Sequence, residues 1–465
     1  MDAIVIGAGP NGLAAAAELS HSGYSVTIYE ANEIVGGSVR SAELTLPGFT
    51  HDICAAVLPL GAYSPFLSRL PLDQFGLKFI NPPAALAHPF ADGTAVLLYR
   101  SLDDTGNELG RDGHSYRRLM RPFVENWDQL AEDLLAPPRM PRHPFKLAQF
   151  GFYGIRPARS LARSLFKDQR ARSLFAGLSA HSFLSLDMYA SSAFGLVMSA
   201  LGHAVGWPIV QGGSQKLSDA LKCYLLKRDV KIVTGVRVNS FDELPPAKII
   251  MCDVTPRQLL AMGGRHFPKR FRKKLATYRY GPAAFKVDWA LNGPVPWKAQ
   301  ECSEAATVHL GSSFEEILNS EAAPWTGQIA ERPFVIVSQP TLFDRTRSPT
   351  GQHTLWAYCH VPNGSTVDMT DRIENQIEYF APGFRDRILA KSTLSPKDLE
   401  KHNPNLVGGD INGGALDLRQ MFTRPTIQLY STPAKGIYIC SSSTPPGGGV
   451  HGMCGYNAVR RALGK

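Results

Sequence analysis

The segment AIVIGAGPNG, at residues 3–12, decides the fold. Its first four residues, three of which are β-branched, lead directly into a Gly-x-Gly-x-x-Gly turn, and an alanine-rich stretch with helical composition follows at residues 13–19. A second β-rich run, at residues 26–29, ends at Glu30. A strand, a glycine turn, a helix and a second strand that ends in an acid together predict a βαβ unit that binds the ADP half of a dinucleotide.

Each residue of the turn has a physical task in such a unit. Gly7 permits the tight turn, Gly9 lets the backbone approach a pyrophosphate, and Gly12 lets the helix pack closely on the sheet. Free N–H groups at the helix start bind phosphate, and the helix dipole adds to this attraction. Glu30 accepts hydrogen bonds from ribose hydroxyls and repels a 2′-phosphate, which disfavours NADP. We therefore expect the cofactor to be bound by Gly7, Gly9, Pro10, Asn11, Gly12, Glu30 and Ala31.

A second pair of glycines, Gly36-Gly37, follows Glu30 after five residues and is itself followed by Arg40. This arrangement resembles the second phosphate-contacting loop of the flavin-containing amine oxidase and phytoene desaturase superfamily. The resemblance implies that FAD is the cofactor and that Gly36, Gly37 and Arg40 also bind it. Simple NAD dehydrogenases do not carry this pair, and no second Gly-x-Gly-x-x-Gly lies between a later strand and helix, so a separate NAD(P)H domain is not expected.

The resemblance to phytoene desaturase-like proteins extends over nearly the whole chain. Residues 47–52 resemble the segment after the glycine pair, and residues 211–217 resemble the return of the chain to the FAD domain. In that family the backbone at the positions of Val236 and Val238 flanks the adenine. Residues 247–253 resemble the next parallel strand of the family.

The C-terminal part of the chain carries the closing motif of the same family. A predicted strand at residues 436–440 enters the glycine-rich segment 445–452, and a helix is expected to begin near Tyr456. Ser441 stands where the family usually has a glycine. The cofactor-binding residues that the resemblance implies here are Gly448, Gly449 and Val450.

The resemblance also implies the fold class. The family includes carotenoid isomerases and retinol saturases, and its α/β fold interleaves a Rossmann-like FAD-binding domain of the glutathione reductase type 2 family with an α+β substrate or cap domain. We expect the FAD-binding domain at residues 1–60, 205–261 and 416–465. The substrate domain is then expected at residues 61–204 and 262–415.

Two residues are candidates for catalysis. In the predicted strand 284–291, alternation directs Lys286 and Asp288 away from the apolar face. The strand is similar to the amine oxidase strand whose lysine reaches a water at the flavin, so Lys286 either tunes the flavin or is a surface lysine on an amphipathic strand. His451 either donates a proton or hydrogen bond to the flavin or has a structural role. Asp52 is expected to cap a helix.

The resemblance implies a function as well. It indicates an FAD-dependent oxidoreductase that desaturates, saturates or isomerises a hydrophobic polyene or lipid-like small molecule by hydride transfer, with oxygen or a quinone as electron acceptor. The first alternative is an amine-oxidase-like enzyme that acts on a C–N bond, although the sequence identifies no aromatic pair to cage its substrate. The second is a non-enzymatic lipid-binding escort protein of the same fold, which the intact glycines and Glu30 disfavour. No group of residues has metal-ligand spacing, and we expect no metal.

The net charge of +9 is concentrated in two segments. Residues 139–172 hold nine Lys or Arg and one Asp, and residues 265–279 hold seven Lys or Arg and no acid. The first segment interleaves its charges with aromatic residues, which is typical either of a peripheral membrane contact or of an amphipathic helical face with solvated charges. No nucleic-acid-binding motif accompanies the charge.

The start of the chain has no signal-peptide pattern, and its seven cysteines show no Cys-x-x-Cys spacing. We therefore expect a cytoplasmic protein, associated with the cytoplasmic membrane face if the first interpretation holds.

Overall fold

The computed structural model describes residues 2–464, which form two large sheets, two small two-stranded sheets and surrounding helices. The strands are β1 Ala3–Ile6, β2 Val26–Tyr29, β3 Ser41–Glu43, β4 Thr50–Asp52, β5 Phe79–Ile80, β6 Ala84–Pro89, β7 Ala95–Tyr99, β8 Ile209–Val210, β9 Lys231–Val233, β10 Ile249–Cys252, β11 Ala283–Leu291, β12 Ala305–Leu310, β13 Val335–Ser338, β14 His353–Val361, β15 Ile388–Leu394 and β16 Ile437–Ile439. The α-helices are α1 Pro10–His21, α2 Pro59–Tyr63, α3 Leu102–Glu108, α4 Gly113–Glu125, α5 Trp127–Leu134, α6 Pro144–Gly154, α7 Ala158–Leu165, α8 Gln169–Ala180, α9 Ser191–Ala204, α10 Gln215–Leu226, α11 Pro256–Gly263, α12 Lys269–Ala276, α13 Phe314–Ala322, α14 Thr370–Phe380, α15 Pro396–His402, α16 Leu418–Met421 and α17 Met453–Ala462.

The first large sheet is wholly parallel, in the order β16-β10-β1-β2-β9. All four residues of β1 are buried, as expected for a central parallel strand that is covered on both faces. Helices α1 and α17 pack together beside this sheet. They approach closely because Gly455 has no side chain, and a Cβ there would lie 1.9 Å from the carbonyl oxygen of Asn11. The βαβ unit and the parallel strands predicted within residues 247–253 and 436–440 are confirmed.

The second large sheet has seven strands in the order β15-β11-β14-β13-β12-β6-β7. Neighbouring strands are antiparallel, except that β12 and β6 are parallel. Every residue of β11 is buried. Its odd-numbered residues Phe285, Val287 and Trp289 belong to one apolar cluster. Lys286 and Asp288 lie on the opposite face, as the alternation of the sequence predicts.

The strands of the two large sheets come from different parts of the chain. All five parallel strands lie within residues 1–60, 205–261 and 416–465, and all seven strands of the second sheet lie within residues 61–204 and 262–415. The pairing of β5 with β8 joins the two parts. The interleaved α/β architecture is confirmed, and the domain boundaries themselves stay a prediction.

Helices α3 to α9 form a layer beside the second sheet. Helix α9 is central in this layer, since α4, α6, α7 and α8 all pack against it. No helix within residues 2–464 is long and apolar enough to cross a bilayer. All seven cysteines are free thiols.

Candidate cofactor and substrate site

A cavity of about 570 Å³ extends from the β1–α1 turn to the face of the second sheet that carries Lys286. At the turn it is lined by glycines and polar groups, which suit a dinucleotide. At the sheet it is lined mainly by aliphatic and aromatic side chains. Of the residues predicted to bind the cofactor, those that line the cavity are Gly7, Gly9, Pro10, Asn11, Glu30, Ala31, Gly37, Val236, Val238, Gly448, Gly449 and Val450.

The β1–α1 turn has the geometry of a pyrophosphate cradle. Gly7 has a φ of +97°, which strongly favours glycine. A Cβ on Gly9 would lie 2.8 Å from a carboxylate oxygen of Asp253. Gly12 does not line the cavity. It lets α1 begin directly against the turn, because a Cβ there would lie 2.0 Å from the carbonyl oxygen of Gly7.

Glu30 organises the loop around the predicted ribose position. Its Oε2 accepts a hydrogen bond of 2.7 Å from the backbone N–H of Ala8, and its Oε1 accepts one of 2.9 Å from that of Asn32. The backbone carbonyl of Glu30 accepts a hydrogen bond from the N–H of Val236, which brings the segment of Val236 and Val238 to the same end of the cavity. Because Oε1 also accepts a hydrogen bond of 2.9 Å from the side-chain amide of Asn32, Oε2 is the oxygen that keeps a further lone pair for a ribose hydroxyl.

Asp253 is a residue of this end that the sequence analysis missed. It follows β10 and lines the cavity, and its Oδ2 accepts a hydrogen bond of 3.0 Å from the backbone N–H of Gly12. Burial, with a smaller contribution from the charge of Glu30, raises the pKa of this carboxyl to about 7. The only sequence signal was an acid directly after a predicted strand, which is too common to identify a site.

The raised pKa of Asp253 predicts a pH-dependent stability of the cofactor-free protein. The folded state holds the proton more tightly than the unfolded chain does, so the carboxyl contributes its stability below about pH 4 and loses it as the pH rises to about 7. The loss amounts to about 4 kcal/mol at most. Asp253→Asn keeps an acceptor for the Gly12 N–H but does not titrate. The free energy of unfolding, measured by chemical denaturation, should therefore favour the variant over the wild type more at pH 8 than at pH 5. If the two proteins differ by the same free energy at both pH values, the pKa of Asp253 is not raised.

The second glycine pair supports the first turn, and Arg40 does not reach the cavity. Gly36 has a φ of +127° and donates its N–H to the carbonyl of Ala8, and Gly37 lines the cavity. Arg40 instead donates hydrogen bonds to the carbonyl of Gly37 and to His402. The expectation that Arg40 contacts the cofactor is thus not met, because its guanidinium is used to hold the loop. Burial lowers the pKa of this guanidinium.

The C-terminal glycine segment forms another wall of the cavity. Gly449 has a φ of +125°, and its missing side chain leaves room for Leu60. Helix α17 begins at Met453, three residues before the predicted start, and its N-terminus lies next to this wall. Ser441, where the family usually has glycine, donates a hydrogen bond of 2.8 Å to the carbonyl of Val254. Its hydroxyl therefore joins the ends of β16 and β10.

His451 is directed away from the cavity. Its side chain is buried and does not line the cavity, and its Nδ1 accepts a hydrogen bond of 3.0 Å from the N–H of Met453. Burial lowers its pKa to about 4, so the imidazole is neutral. The expected proton donor at the flavin is not placed there, because the ring is used at the start of α17. The structural alternative fits this position.

Lys286 lies at the sheet end of the cavity and is buried, with 3% of its surface exposed. Its Nζ forms an ion pair with Asp288, whose side chain is fully buried. The alternative of a surface lysine is therefore wrong. The ammonium also lies 5.8 Å from the ring centre of Trp356. The ion pair with Asp288 thus holds the Lys286 ammonium in an otherwise apolar region. The role of Lys286 in catalysis stays a prediction.

An aromatic pair beside Lys286 was also missed by the sequence analysis. Trp356 and Tyr358 of β14 both line the cavity, and their ring centres are 5.1 Å apart at an interplanar angle of 70°. Tyr358 is directly opposite Lys286 in the β11–β14 pairing. The pair could not be identified in advance because this register joins residues more than seventy positions apart.

His51 and Asp52 do not line the cavity but contact residues around it. Asp52 accepts a hydrogen bond of 2.7 Å from the backbone N–H of Ser214, the residue before α10, so it holds the start of that helix, and its role as a helix cap stays a prediction. It also forms a buried ion pair of 2.7 Å with Arg347. The Nδ1 of His51 lies 3.5 Å from Asp288, the partner of Lys286. Within residues 2–464 no group of side chains could hold a metal ion.

Comparison with known proteins agrees with this geometry. Residues 5–70 match the family of NAD(P)-binding Rossmann-like domains. The chain is 25% identical to pyridine nucleotide-disulfide oxidoreductase domain-containing protein 2 of Mus musculus, with 98% of this chain and 92% of that protein covered. It is 24% identical to the phytoene desaturase (neurosporene-forming) of Rhodobacter capsulatus, with 97% and 92% covered. The solved structure of an oxidoreductase from Methanosarcina mazei has a TM-score of 0.68 at 17% identity, with 100% of both chains covered, and so shares the fold.

The likeness to these proteins extends over nearly the whole chain. The chain therefore carries a Rossmann-like dinucleotide-binding domain and is similar over nearly its whole length to a phytoene desaturase.

Proposed function

We propose that this protein binds FAD and transfers hydride between the flavin and an apolar, unsaturated substrate. The observation that carries the proposal is the single cavity that joins the glycine cradle to the apolar sheet face. Its turn end suits the ADP part of FAD, since Gly7 and Gly9 leave room for a pyrophosphate and Glu30 lies at the ribose position. FMN lacks this ADP part and would leave the turn end unused.

The substrate half of the cavity favours a neutral, apolar molecule. Helix α9 contributes one wall, and the second sheet contributes the floor. The carboxylates that line the cavity, Glu30 and Asp253, both lie at the cradle end, and Asp288 is paired with Lys286. A cationic substrate would therefore meet a lysine and no free carboxylate. The apolar residues of this half are Phe183, Phe194, Val197, Met198, Trp207, Ala284, Ile336, Trp356 and Tyr358.

The residues of the chain would bind and orient the reactants and exclude water. When bound, FAD supplies the hydride chemistry. Asp288 holds the Lys286 ammonium in place, and the aromatic pair Trp356 and Tyr358 shields the sheet end from solvent. The N-terminus of α17, beside Gly449, offers a positive dipole end that stabilises negative charge.

Anaerobic mixing of the FAD-loaded protein with candidate substrates tests this proposal. An apolar polyene should bleach the visible flavin band if it gives up hydride, or restore the band of the chemically pre-reduced protein if it accepts hydride, whereas a primary amine of equal chain length should do neither. The reverse result would favour amine oxidation, for which the pair of Trp356 and Tyr358 is the supporting observation. Re-oxidation of the bleached protein by oxygen or by a soluble quinone then identifies the electron acceptor, and we expect one of these two to restore the band.

We further propose that the start of the basic segment docks on an anionic bilayer. Met140 and Phe145 are each 88% exposed, and Phe152 is 68% exposed, all within a stretch that carries Arg139 and Arg142. Helix α6, which carries both phenylalanines, packs on α9. Because α9 also lines the cavity, a lipophilic substrate leaving the bilayer here would enter next to the substrate half.

Cations throughout the segment are engaged within the protein, since Arg142 pairs with Glu132 at 3.2 Å and Arg139 donates a hydrogen bond to the carbonyl of Glu132. Arg159 pairs with Asp187 at 3.1 Å, and Arg163 pairs with Glu315 at 2.7 Å. Their pairing does not separate one part of the segment from the other, and the membrane contact is assigned to residues 139–156 because the exposed apolar side chains Met140, Phe145 and Phe152 lie there. The buried residues of the segment, such as Phe166, belong to the core.

Vesicle flotation tests the membrane proposal. Burial of one phenylalanine contributes about 2 kcal/mol, so Phe145→Ser with Phe152→Ser should lower partitioning into phosphatidylcholine–phosphatidylglycerol vesicles by at least about tenfold. Leu226→Ser is the matched control, since Leu226 is also exposed but lies at the end of α10. It should float like the wild type. Equal flotation of the double variant and the wild type would exclude this surface as the contact.

A further inference from the structure

Two histidines meet at the end of the substrate half that is far from Lys286. His181 follows α8 and lines the cavity, and His309 on β12 is fully buried. Their Nε2 atoms are 3.0 Å apart, which is a hydrogen bond. Burial lowers the pKa of His181 to about 3 and that of His309 well below its usual range, so both rings are neutral and share one proton between these atoms.

The position of that proton follows from the other nitrogen of His309. Its Nδ1 is buried, packs against Gly177, and has no hydrogen-bond partner among residues 2–464. A proton on that atom would create an unsatisfied buried N–H group, which folded proteins rarely contain. The proton of His309 therefore lies on Nε2 and is donated to His181. Consequently His181 carries its own proton on Nδ1.

The Nδ1–H of His181 has no acceptor in the described part of the chain, and the residue lines the cavity. Its surroundings are apolar, since Trp207 contacts the ring edge-on with centres 5.4 Å apart. Thr307, whose hydroxyl likewise has no hydrogen bond to a residue within 2–464, lines the same region. A donor and a hydroxyl thus lie together in a region that is otherwise lined by hydrocarbon.

The distance from this pair to Lys286 follows from the sheet register. His309 is opposite Ile336, Ile336 is opposite Tyr358, and Tyr358 is opposite Lys286. Three strand spacings of about 4.8 Å therefore separate His309 from Lys286, a distance of roughly 14 Å. A zigzag chain of roughly eleven carbon–carbon bonds, each of about 1.5 Å, spans this distance.

We propose that His181, oriented by His309, binds an oxygen acceptor on the substrate, so that the substrate is an amphipathic lipid with a hydroxyl, carbonyl or carboxylate remote from the bond that reacts. The inference rests on the proposed function for the location of the reacting bond. It narrows the substrate from any apolar polyene to a chain with one polar end. His309 is a positioning residue, because it contacts His181 and does not line the cavity.

Binding of three probes of equal length tests the inference without turnover. Dodecanol, dodecanoic acid and dodecane, delivered from detergent micelles, are titrated into the FAD-loaded protein, and quenching of tryptophan fluorescence gives each Kd. The wild type should bind the better of the two oxygen-bearing probes at least about tenfold more tightly than dodecane. Comparison of the alcohol with the acid shows which oxygen group the site prefers.

The variant His181→Phe keeps the ring volume and removes the donor. It should bind dodecane as the wild type does and lose the preference for oxygen-bearing probes, while flavin content and near-UV circular dichroism show that it is folded. Thr307→Val is a second variant, and it should weaken the preference by a smaller factor. The inference is overturned if the wild type shows no preference, or if His181→Phe weakens all three probes equally. The wild type could prefer the oxygen-bearing probes although no substrate reduces its flavin. That result would contradict the proposed redox function but would still support the oxygen-binding site at His181.

Discussion

Gly12→Ala should strongly weaken flavin binding. A Cβ at this position would lie 2.0 Å from the carbonyl oxygen of Gly7, and neither backbone can move without opening the β1–α1 turn. Overpacking of this kind costs about 3 kcal/mol, and it falls on the segment that has to hold the pyrophosphate. We expect flavin content to drop by more than about tenfold, which corresponds to 1.4 kcal/mol of binding free energy. The absorbance ratio of the visible flavin band to the protein band measures it.

Gly151→Ala is the matched control for this substitution. Gly151 lies within α6, and no atom lies within 4 Å of the position that its Cβ would take. Alanine should stabilise this helix by about 0.5–1 kcal/mol and leave flavin content unchanged. If Gly12→Ala retained as much flavin as Gly151→Ala, the β1–α1 turn would not be the cofactor cradle.

Lys286→Met should have the second large effect, on both stability and activity. It removes the cation that neutralises Asp288, and an unpaired buried charge costs about 3–5 kcal/mol. It also removes the cation at the sheet end of the cavity. If this ammonium positions a water or a proton at the flavin, reduction of the flavin by substrate should slow by about a hundredfold.

The double variant Lys286→Met with Asp288→Asn separates these two effects. It removes both charges of the pair, so it should regain most of the stability in chemical denaturation. It should nevertheless reduce the flavin as slowly as the single variant. A double variant that recovers both stability and rate would show that Lys286 only stabilises the fold.

Much of the cofactor end could be predicted from the sequence because its contacts are local. Gly7, Gly9 and Glu30 lie within one βαβ unit, and the geometry of that unit determines where they meet. Alternation along β11 likewise placed Lys286 and Asp288 on the correct face. These features depend only on the spacing of residues along one segment.

The parts that could not be predicted depend on contacts between distant segments. The pairing of β14 with β11 brings Trp356 and Tyr358 beside Lys286, and no pattern within either strand encodes that register. The contact of His181 with His309 has the same origin. The alternation of a sequence tells which face a residue occupies, but not which residue of the next strand lies opposite.

Two predicted site residues were misplaced for a related reason. Arg40 and His451 lie in segments that line the cavity, yet their side chains turn to partners in the protein. A motif determines the path of its backbone, while the direction of each side chain depends on the hydrogen bonds offered by its neighbours. His402, the partner of Arg40, lies more than three hundred residues further along the chain.

The central claim, that this chain binds FAD in the cavity between its two sheets, is tested most directly by the absorption spectrum of the purified protein before and after FAD is added. We predict a visible flavin band, and denaturation should release FAD rather than FMN at one molecule per chain. A colourless protein that also fails to take up added FAD would contradict the claim.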